Sequence, residues 1–316
     1  MASSQTTLAV LACGTMGSAI LSGVMDTIKA RVQNETPVER SVSSLASETN
    51  TDAPLPTRYI TTVGRSATAK RLERLFAHAG YENVEILVQN NVEAAKQGDI
   101  VLLCCKPQRV TEFLSEEGMR EALEGKILVS IVAGITSARL ATMVGPTTKV
   151  VRAMPNTPSK IREGMTVISN EPHLSQMDRD VLASIFSAVG TCRFLDEKYF
   201  DAATALAGSG PAFVALFLEA MADGGVMMGL PRPEALELAA QSMYDFILTW
   251  KAMQGAARMV LQTGMHPAAI KDSVTTPGGC TIAGLLQMED GNLRSTVART
   301  IQTAAEHAAG LGKISQ

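Results

Sequence analysis

The sequence predicts an α/β protein: a doubly wound, mostly parallel sheet followed by an all-helical C-terminal domain. Three observations predict it. The first half alternates short apolar runs with helix-period segments, the pattern of buried parallel strands joined by crossover helices. From about Lys198 the strand signal stops, and Ala, Leu, Met, Gln and Glu dominate to the C-terminus. The segment LAVLACGTMGSAILSGV sets the small residues Ala12, Gly14 and Gly17 between an apolar run and an amphipathic one. With 316 residues, 46% of them hydrophobic, the chain can bury a large core and divide into two domains. The boundary is expected between residues 196 and 197.

Eight strands are expected: Thr7 to Cys13, Tyr59 to Val63, Glu85 to Val88, Ile100 to Cys105, Ile127 to Val132, Lys149 to Ala153, Met165 to Ser169 and Thr191 to Leu195. Helices fill the gaps between them. The stretch from about Ala30 to Thr57, ARVQNETPVERSVSSLASETNTDAPLPT, shows no sustained period and is expected to be a mobile surface insertion. In the second half, GSGPAFVALFLEAMADGGVMMGLP carries a Ser209 cap, Pro211 in the first turn and the stop signals Gly229 and Pro231. Pro233 opens another long helix. Both are apolar around much of their circumference, as expected of helices that pack against a second subunit.

Composition excludes several classes. The 28 basic and 31 acidic side chains give a net charge of −3, and no dense Lys/Arg run could track a phosphate backbone, so nucleic acid is not an expected partner. Five scattered cysteines without C-x-x-C spacing suit a reducing compartment. The start, MASSQTTLAVLA, has neither a cationic n-region nor an Arg-rich amphipathic character, and no apolar run approaches 18 residues. A cytoplasmic protein without a membrane partner is expected. The histidines His78, His173, His266 and His307 lack ligand spacing, and no metal is expected.

Ala12, Gly14, Thr15, Met16 and Gly17 form a dinucleotide fingerprint with alanine at the first small position. Its glycines allow a tight turn and close approach of a pyrophosphate to a helix start, so the sheet is read as Rossmann-type. An acidic residue after the second strand would bind a ribose 2′-hydroxyl. This chain has Arg65 and Ser66 there, with Lys70 one turn on, which suits a 2′-phosphate. NADP(H) is the expected cofactor, and NAD(H) stays open as a second donor.

Cys104-Cys105-Lys106-Pro107-Gln108, Ser130-Ile131-Val132-Ala133-Gly134-Ile135 and Arg152-Ala153-Met154-Pro155-Asn156-Thr157-Pro158 follow in order. AGSGPAFVALFLEAMADGGVMMGLPR comes next, and residues 266 to 289 read HPAAIKDSVTTPGGCTIAGLLQME. In these motifs, over nearly its whole length, the chain resembles the pyrroline-5-carboxylate reductases. The resemblance implies reduction of L-1-pyrroline-5-carboxylate to L-proline by NAD(P)H, the last step of proline biosynthesis. It also implies that the helical half is a dimerisation domain, in a homodimer or a larger homo-oligomer such as a decamer. Four features depart from the family pattern: the stretch near residues 30 to 57, a further insertion at Tyr244 to Met253, Ser273 in place of an amide, and Phe213 in place of a tyrosine.

The reaction asks for a held carboxylate and a proton for the ring nitrogen. Gly279, Cys280 and Thr281 stand where the chain enters a helix expected from Ile282, so their N–H groups are helix-start donors for an anion. The Thr281 hydroxyl is the expected catalytic group, positioning the ring nitrogen and relaying a proton through water; an ordinary N-cap is the alternative reading. The family match places Glu197 near that nitrogen and Asn91 near the adenosine ribose. Lys106, Pro107, Ala133 and Gly134 follow strand ends at the cofactor crevice, and Met154, Pro155 and Asn156 are expected to wall the nicotinamide. Two other functions stay open: another NADP-dependent imine or hydroxyacid reductase, and a catalytically silent NADP-binding redox sensor.

Overall fold

A computed structural model describes residues 6–32, 53–81, 83–244, 260, 264–273, 275, 277 and 280–311. The described chain forms two compact units, one ending at Gly208 and regaining the chain from Ala304, the other Ser209–Thr303. The family-derived insertion at 244–253 lies outside the described residues apart from Tyr244.

The first unit holds one eight-stranded sheet. Its strands are β1 (Thr7–Leu11), β2 (Arg58–Val63), β3 (Val84–Val88), β4 (Ile100–Leu103), β5 (Ile127–Ser130), β6 (Lys149–Met154), β7 (Gly164–Ser169) and β8 (Gly190–Leu195), ordered 3-2-1-4-5-6-7-8. The pairs from β3 to β6 are parallel, β7 is antiparallel to β6, and β8 is parallel to β7. All eight expected strands are present. The expected strands at Thr7, Ile100 and Ile127 each run two residues too far, because Ala12–Cys13, Cys104–Cys105 and Ile131–Val132 belong to the ligand-side turns.

Helices α1 (Thr15–Val32), α2 (Ser66–His78), α3 (Asn91–Gln97), α4 (Val110–Leu114), α5 (Met119–Ala122), α6 (Ser137–Met143) and α7 (Gln176–Ser187) cover the two faces. Alternation along the strands feeds two cores. Leu8, Val10, Ile100 and Leu102 pack with Ile20 and Val24 of α1, Leu72 and Phe76 of α2, and Leu182 and Phe186 of α7. Ala9, Leu11, Val101 and Leu103 pack with α3, α4, α5 and α6 through Ala94, Phe113, Met119 and Leu140. Both faces are thus dry, as the unbroken apolar runs require.

Three expectations change here. Helix α1 continues through Ala30 to Val32, and Ala53, Leu55 and Pro56 are buried. The stretch expected to be mobile is therefore fixed at both ends, and residues 33–52 lie outside the described residues. Ser209 is not a cap: its φ of −89° and ψ of −20° are helical and its hydroxyl makes no capping bond. A π-helical turn, Thr204–Gly208, follows α8 (Phe200–Ala203) and delivers the chain already helical into α9 (Gly210–Met227). Thirdly, Glu197–Met227 is long and apolar enough to cross a membrane by length and composition, although only 11% of its apolar window is buried in the described chain.

In the second unit α9 stops as the sequence predicts. Leu230 N–H donates to Gly225 O at 3.0 Å and Gly229 N–H to Val226 O at 3.0 Å, with Gly229 at φ +99°, a Schellman motif closed by Pro231. Helices α10 (Arg232–Tyr244), α11 (Pro267–Ser273), α12 (Cys280–Asp290) and α13 (Leu293–Leu311) follow. The buried cluster described in this unit is only Ala222, Ala235 and Ala239, while Leu216, Leu238, Leu286 and Val297 are exposed.

Backbone clearance yields a stability test. Gly190 (φ +148°) pairs with Gly164, and a Cβ at 190 would lie 2.0 Å from Gly164 O. Gly190→Ala is expected to cost about 3 kcal/mol, read as a lowered urea midpoint. Gly145→Ala, whose Cβ would meet nothing nearer than 3.9 Å, should cost less than about 1 kcal/mol.

Candidate active site

Five parallel strands end side by side. Leu11 pairs with Leu103, Leu103 with Ser130, and Ser130 with Arg152, while β2 flanks β1 with Val10 opposite Thr61. The turns after β1, β2, β4, β5 and β6 therefore open on one edge, across the reversal of strand order between β1 and β4 where open α/β sheets bind dinucleotides.

At the β1 turn Ala12 adopts φ +56°, a left-handed conformation that costs an alanine about 1 kcal/mol. Two bonds hold it there: Ala12 N–H donates to Thr62 Oγ1 at 3.0 Å and Cys13 N–H to Thr62 O at 2.7 Å. Thr62 in turn donates its hydroxyl proton to Asn91 Oδ1 at 2.7 Å, and Asn91 Nδ2 donates to Glu116 at 3.1 Å. Asn91 is thus brought to the fingerprint turn through Thr62, a residue the sequence reading missed. Gly14 has open space where a Cβ would stand, whereas a Cβ on Gly17 would lie 3.0 Å from Val10 Cγ1 and 3.3 Å from Cys104 Sγ. The first glycine leaves room for a ligand, and the second lets α1 lie against the sheet. Thr15 and Met16 open α1, whose first-turn N–H groups lack helical acceptors. Burial pushes the Cys13 and Cys105 thiols up to about 11 and raises that of Cys104 also, so these sulfurs stay protonated as packing groups.

Arg65 and Ser66 are exposed at the end of β2, Arg65 preceding α2 in extended conformation and Lys70 one turn on. Lys106 is exposed after β4, with Pro107 starting a 3-10 turn. Among the described residues Arg65, Lys70 and Lys106 make no ion pair. Ala133 is exposed beyond β5 and Gly134 turns at φ +76°. Three uncommitted cations, a glycine-lined turn and a helix start fit a nicotinamide dinucleotide.

Met154 ends β6 and Pro155 follows it, both half-buried. Asn156 is buried, and its side chain is used internally: Nδ2 donates to Ala207 O and Oδ1 accepts from Met165 N–H, each at 2.9 Å. Its amide thus fastens the end of β6 to Ala207 and Met165. Glu197 is committed as well. Its Oε1 accepts from Arg152 Nη1 and from Ser137 N–H, both at 2.7 Å, and the Arg152 guanidinium lies 4.7 Å from the Phe200 ring centre. This ion pair ties β6, the start of α6 and the 3-10 turn Glu197–Tyr199 together. An arginine inside an apolar strand run was its sequence signal, since a buried charge needs a partner.

In the second unit α12 begins at Cys280, two residues before the expected Ile282. Thr281 is therefore half-buried within the first turn, not its N-cap, and its N–H remains a helix-start donor. Gly279 lies outside the described residues, as does the side chain of Cys280. Ser273 donates its hydroxyl proton back to Ile270 O at 2.6 Å, and His266 Nδ1 accepts from Ala268 N–H at 3.2 Å, a loop residue capping α11.

A Rossmann-type sheet that fits a nicotinamide dinucleotide, followed by a helical unit, is the architecture of a two-domain nicotinamide-dependent oxidoreductase. Residues 197–311 match the family model described as pyrroline-5-carboxylate reductase dimerisation, and residues 7–134 that described as NADP oxidoreductase, coenzyme F420-dependent. The pyrroline-5-carboxylate reductase of Schizosaccharomyces pombe is 42% identical over 306 residues, covering 96% of this chain and 98% of its own. That of Lophium arboricola is 45% identical over 322 residues, covering 98% and 94%. The crystal structure of Plasmodium falciparum pyrroline carboxylate reductase with NADP bound superposes with a TM-score of 0.73 at 25% identity, covering 97% of this chain and 98% of that one. The chain belongs to the pyrroline-5-carboxylate reductase family, oxidoreductases acting on a CH–NH bond.

The Arg152–Glu197 pair generates a prediction. Glu197→Ala leaves an 8%-exposed guanidinium without its carboxylate, at an expected cost of about 3 kcal/mol. Calorimetry should record a lowered Tm, with Glu197→Gln, which keeps an acceptor, less affected.

Proposed function

We propose that this chain reduces L-1-pyrroline-5-carboxylate to L-proline with NADPH as the preferred donor, and that it works as a homo-oligomer. The observation that carries the reaction is near-full-length kinship with reductases of that name, in a chain that reads VTTPGGCTIAG at residues 274 to 284.

When bound, the cofactor supplies a hydride to the imine carbon. The chain's own residues do the rest. The α1 start and its glycine turn take the pyrophosphate, and Arg65, Ser66 and Lys70 take a 2′-phosphate, which favours NADPH over NADH. Lys106, Pro107, Ala133 and Gly134 line the crevice, and Met154 and Pro155 wall the nicotinamide. Gly279, Cys280 and Thr281 offer backbone N–H groups to the substrate carboxylate, which fixes the ring face that meets the hydride. The Thr281 hydroxyl bonds the ring nitrogen and relays the proton it gains from water. Association is supported by the dimerisation-domain match over residues 197–311 and by the apolar side chains that the helical unit leaves exposed. The same surface accounts for the membrane-like composition of Glu197–Met227 without a membrane.

Purified protein mixed with NADPH and pyrroline-5-carboxylate should oxidise NADPH at 340 nm and form proline; folded protein that forms none would remove the reading. Thr281→Ala is expected to lower kcat/KM for the imine by about ten- to a hundredfold, with the Kd for NADPH near wild type. Unchanged turnover would take Thr281 out of the chemistry. Arg65→Ala should raise the KM for NADPH about tenfold, for one lost charge-assisted contact, and leave NADH kinetics as they were. Equal losses with both donors would overturn the 2′-phosphate assignment.

A further inference from the structure

The π-helical turn Thr204–Gly208 is the segment on which the nucleotide-binding unit ends before the helical unit begins. Widening a helix to i→i+5 bonding sacrifices hydrogen-bond geometry, and such turns recur where a particular placement is needed. Two side chains pin this one to the end of β6. Asn156 reaches Ala207 O from one side, with its own oxygen anchored on Met165 N–H, at 2.9 Å each. The Thr204 hydroxyl donates to Phe200 O at 2.7 Å, and its oxygen lies directly against Met154 Sδ. Met154 Sδ also sits 3.7 Å from where a Cβ on Gly208 would stand, so the thioether lies against the turn.

Strand order says which half of the crevice this wall serves. Arg65 after β2 marks the adenosine half, and β4, β5 and β6 on the other side of the reversal carry the nicotinamide half. A methionine there has three rotatable side-chain bonds and defines a wall only if something holds it. We propose that Thr204 and Asn156 are positioning residues for hydride transfer. They hold the Met154 thioether and the backbone of residues 155 and 156 to the π turn, giving the nicotinamide half one fixed wall. The inference rests on the proposed reductase activity.

The test is steady-state kinetics with NADPH and its 4-deuterated form on Thr204→Val, Thr204→Ser, Asn156→Asp and Met154→Leu. Thr204→Val keeps the shape and removes the hydroxyl. It is expected to lower kcat about tenfold, as small misplacements at a reacting centre do. KM for the imine should stay near wild type while the deuterium isotope effect on kcat rises. Thr204→Ser should restore both. Asn156→Asp keeps the acceptor for Met165 and drops the donor to Ala207, and should show the same split. In a Met154→Leu background Thr204→Val should add nothing, because its effect passes through the sulfur. A role in stability alone would lower Tm and leave kcat and the isotope effect per folded molecule unchanged. That outcome, or additive losses in the Met154→Leu background, would overturn the proposal. A wild-type protein inactive with the imine would remove the proposed reaction instead, so the two failures are distinguishable.

Discussion

The register of the parallel strands is the constraint on which the rest of the nucleotide-binding unit depends. Leu11, Leu103, Ser130 and Arg152 stand in one row across β1, β4, β5 and β6, and every ligand-side turn begins just beyond that row. A slip of one residue in any strand would exchange its two faces. Because both faces are dry, the slip would also drive apolar side chains of one core into space shaped for the other. Burial therefore holds the turns level, and the left-handed Ala12 is tolerated because Thr62, fixed by the same register, receives its N–H.

The helical unit is built on a different balance. Within the described residues its buried cluster is three alanines, contributing little transfer energy, although α9 and α10 are rich in leucine and methionine. Gly225 lets α10 approach so closely that a Cβ there would lie 3.1 Å from Ala235. Among the described residues the cluster is thus built on small side chains, with Leu218 and Val226 packed partly buried against it, while Leu216, Leu238, Leu286 and Val297 stay exposed. An arrangement like this is stable when the outward residues are covered, and a second copy with the same surface offers matching apolar area.

The sheet was legible because buried parallel strands are unbroken apolar runs and crossover helices carry a period of 3.6. The turns after β1 and β5 were legible because glycines mark where the backbone must turn tightly. Side chains that act on one another across long separations were not. Nothing local marks Thr62 as the acceptor for Ala12, or Asn156 as the clamp on Ala207, since each partner lies some fifty residues away. Ser209 misled for a related reason: a serine before a glycine and a proline has the composition of a cap, but the preceding π turn had already set its backbone helical. Pro56, in a Ser- and Thr-rich stretch, read as surface although the Tyr59 hydroxyl donates to its carbonyl.

In the proposed reaction the two ligand ends call on different sources of positive charge, and the chemistry gives the reason. Arg65, Lys70 and Lys106, which the proposal sets at the cofactor end, are full cations on exposed side chains, suited to phosphate groups that keep their charge throughout the reaction. The segment from Thr275 to Ile282, proposed to hold the substrate, has no lysine or arginine, and what it offers an anion is the start of α12. A full cation near the carboxylate would also stand near the ring nitrogen, which must become positive before it accepts hydride at its neighbouring carbon. A helix start presents roughly half a charge, enough to hold a carboxylate while opposing the iminium less. A threonine hydroxyl fits the same need, since it accepts or donates a hydrogen bond without bringing a charge of its own.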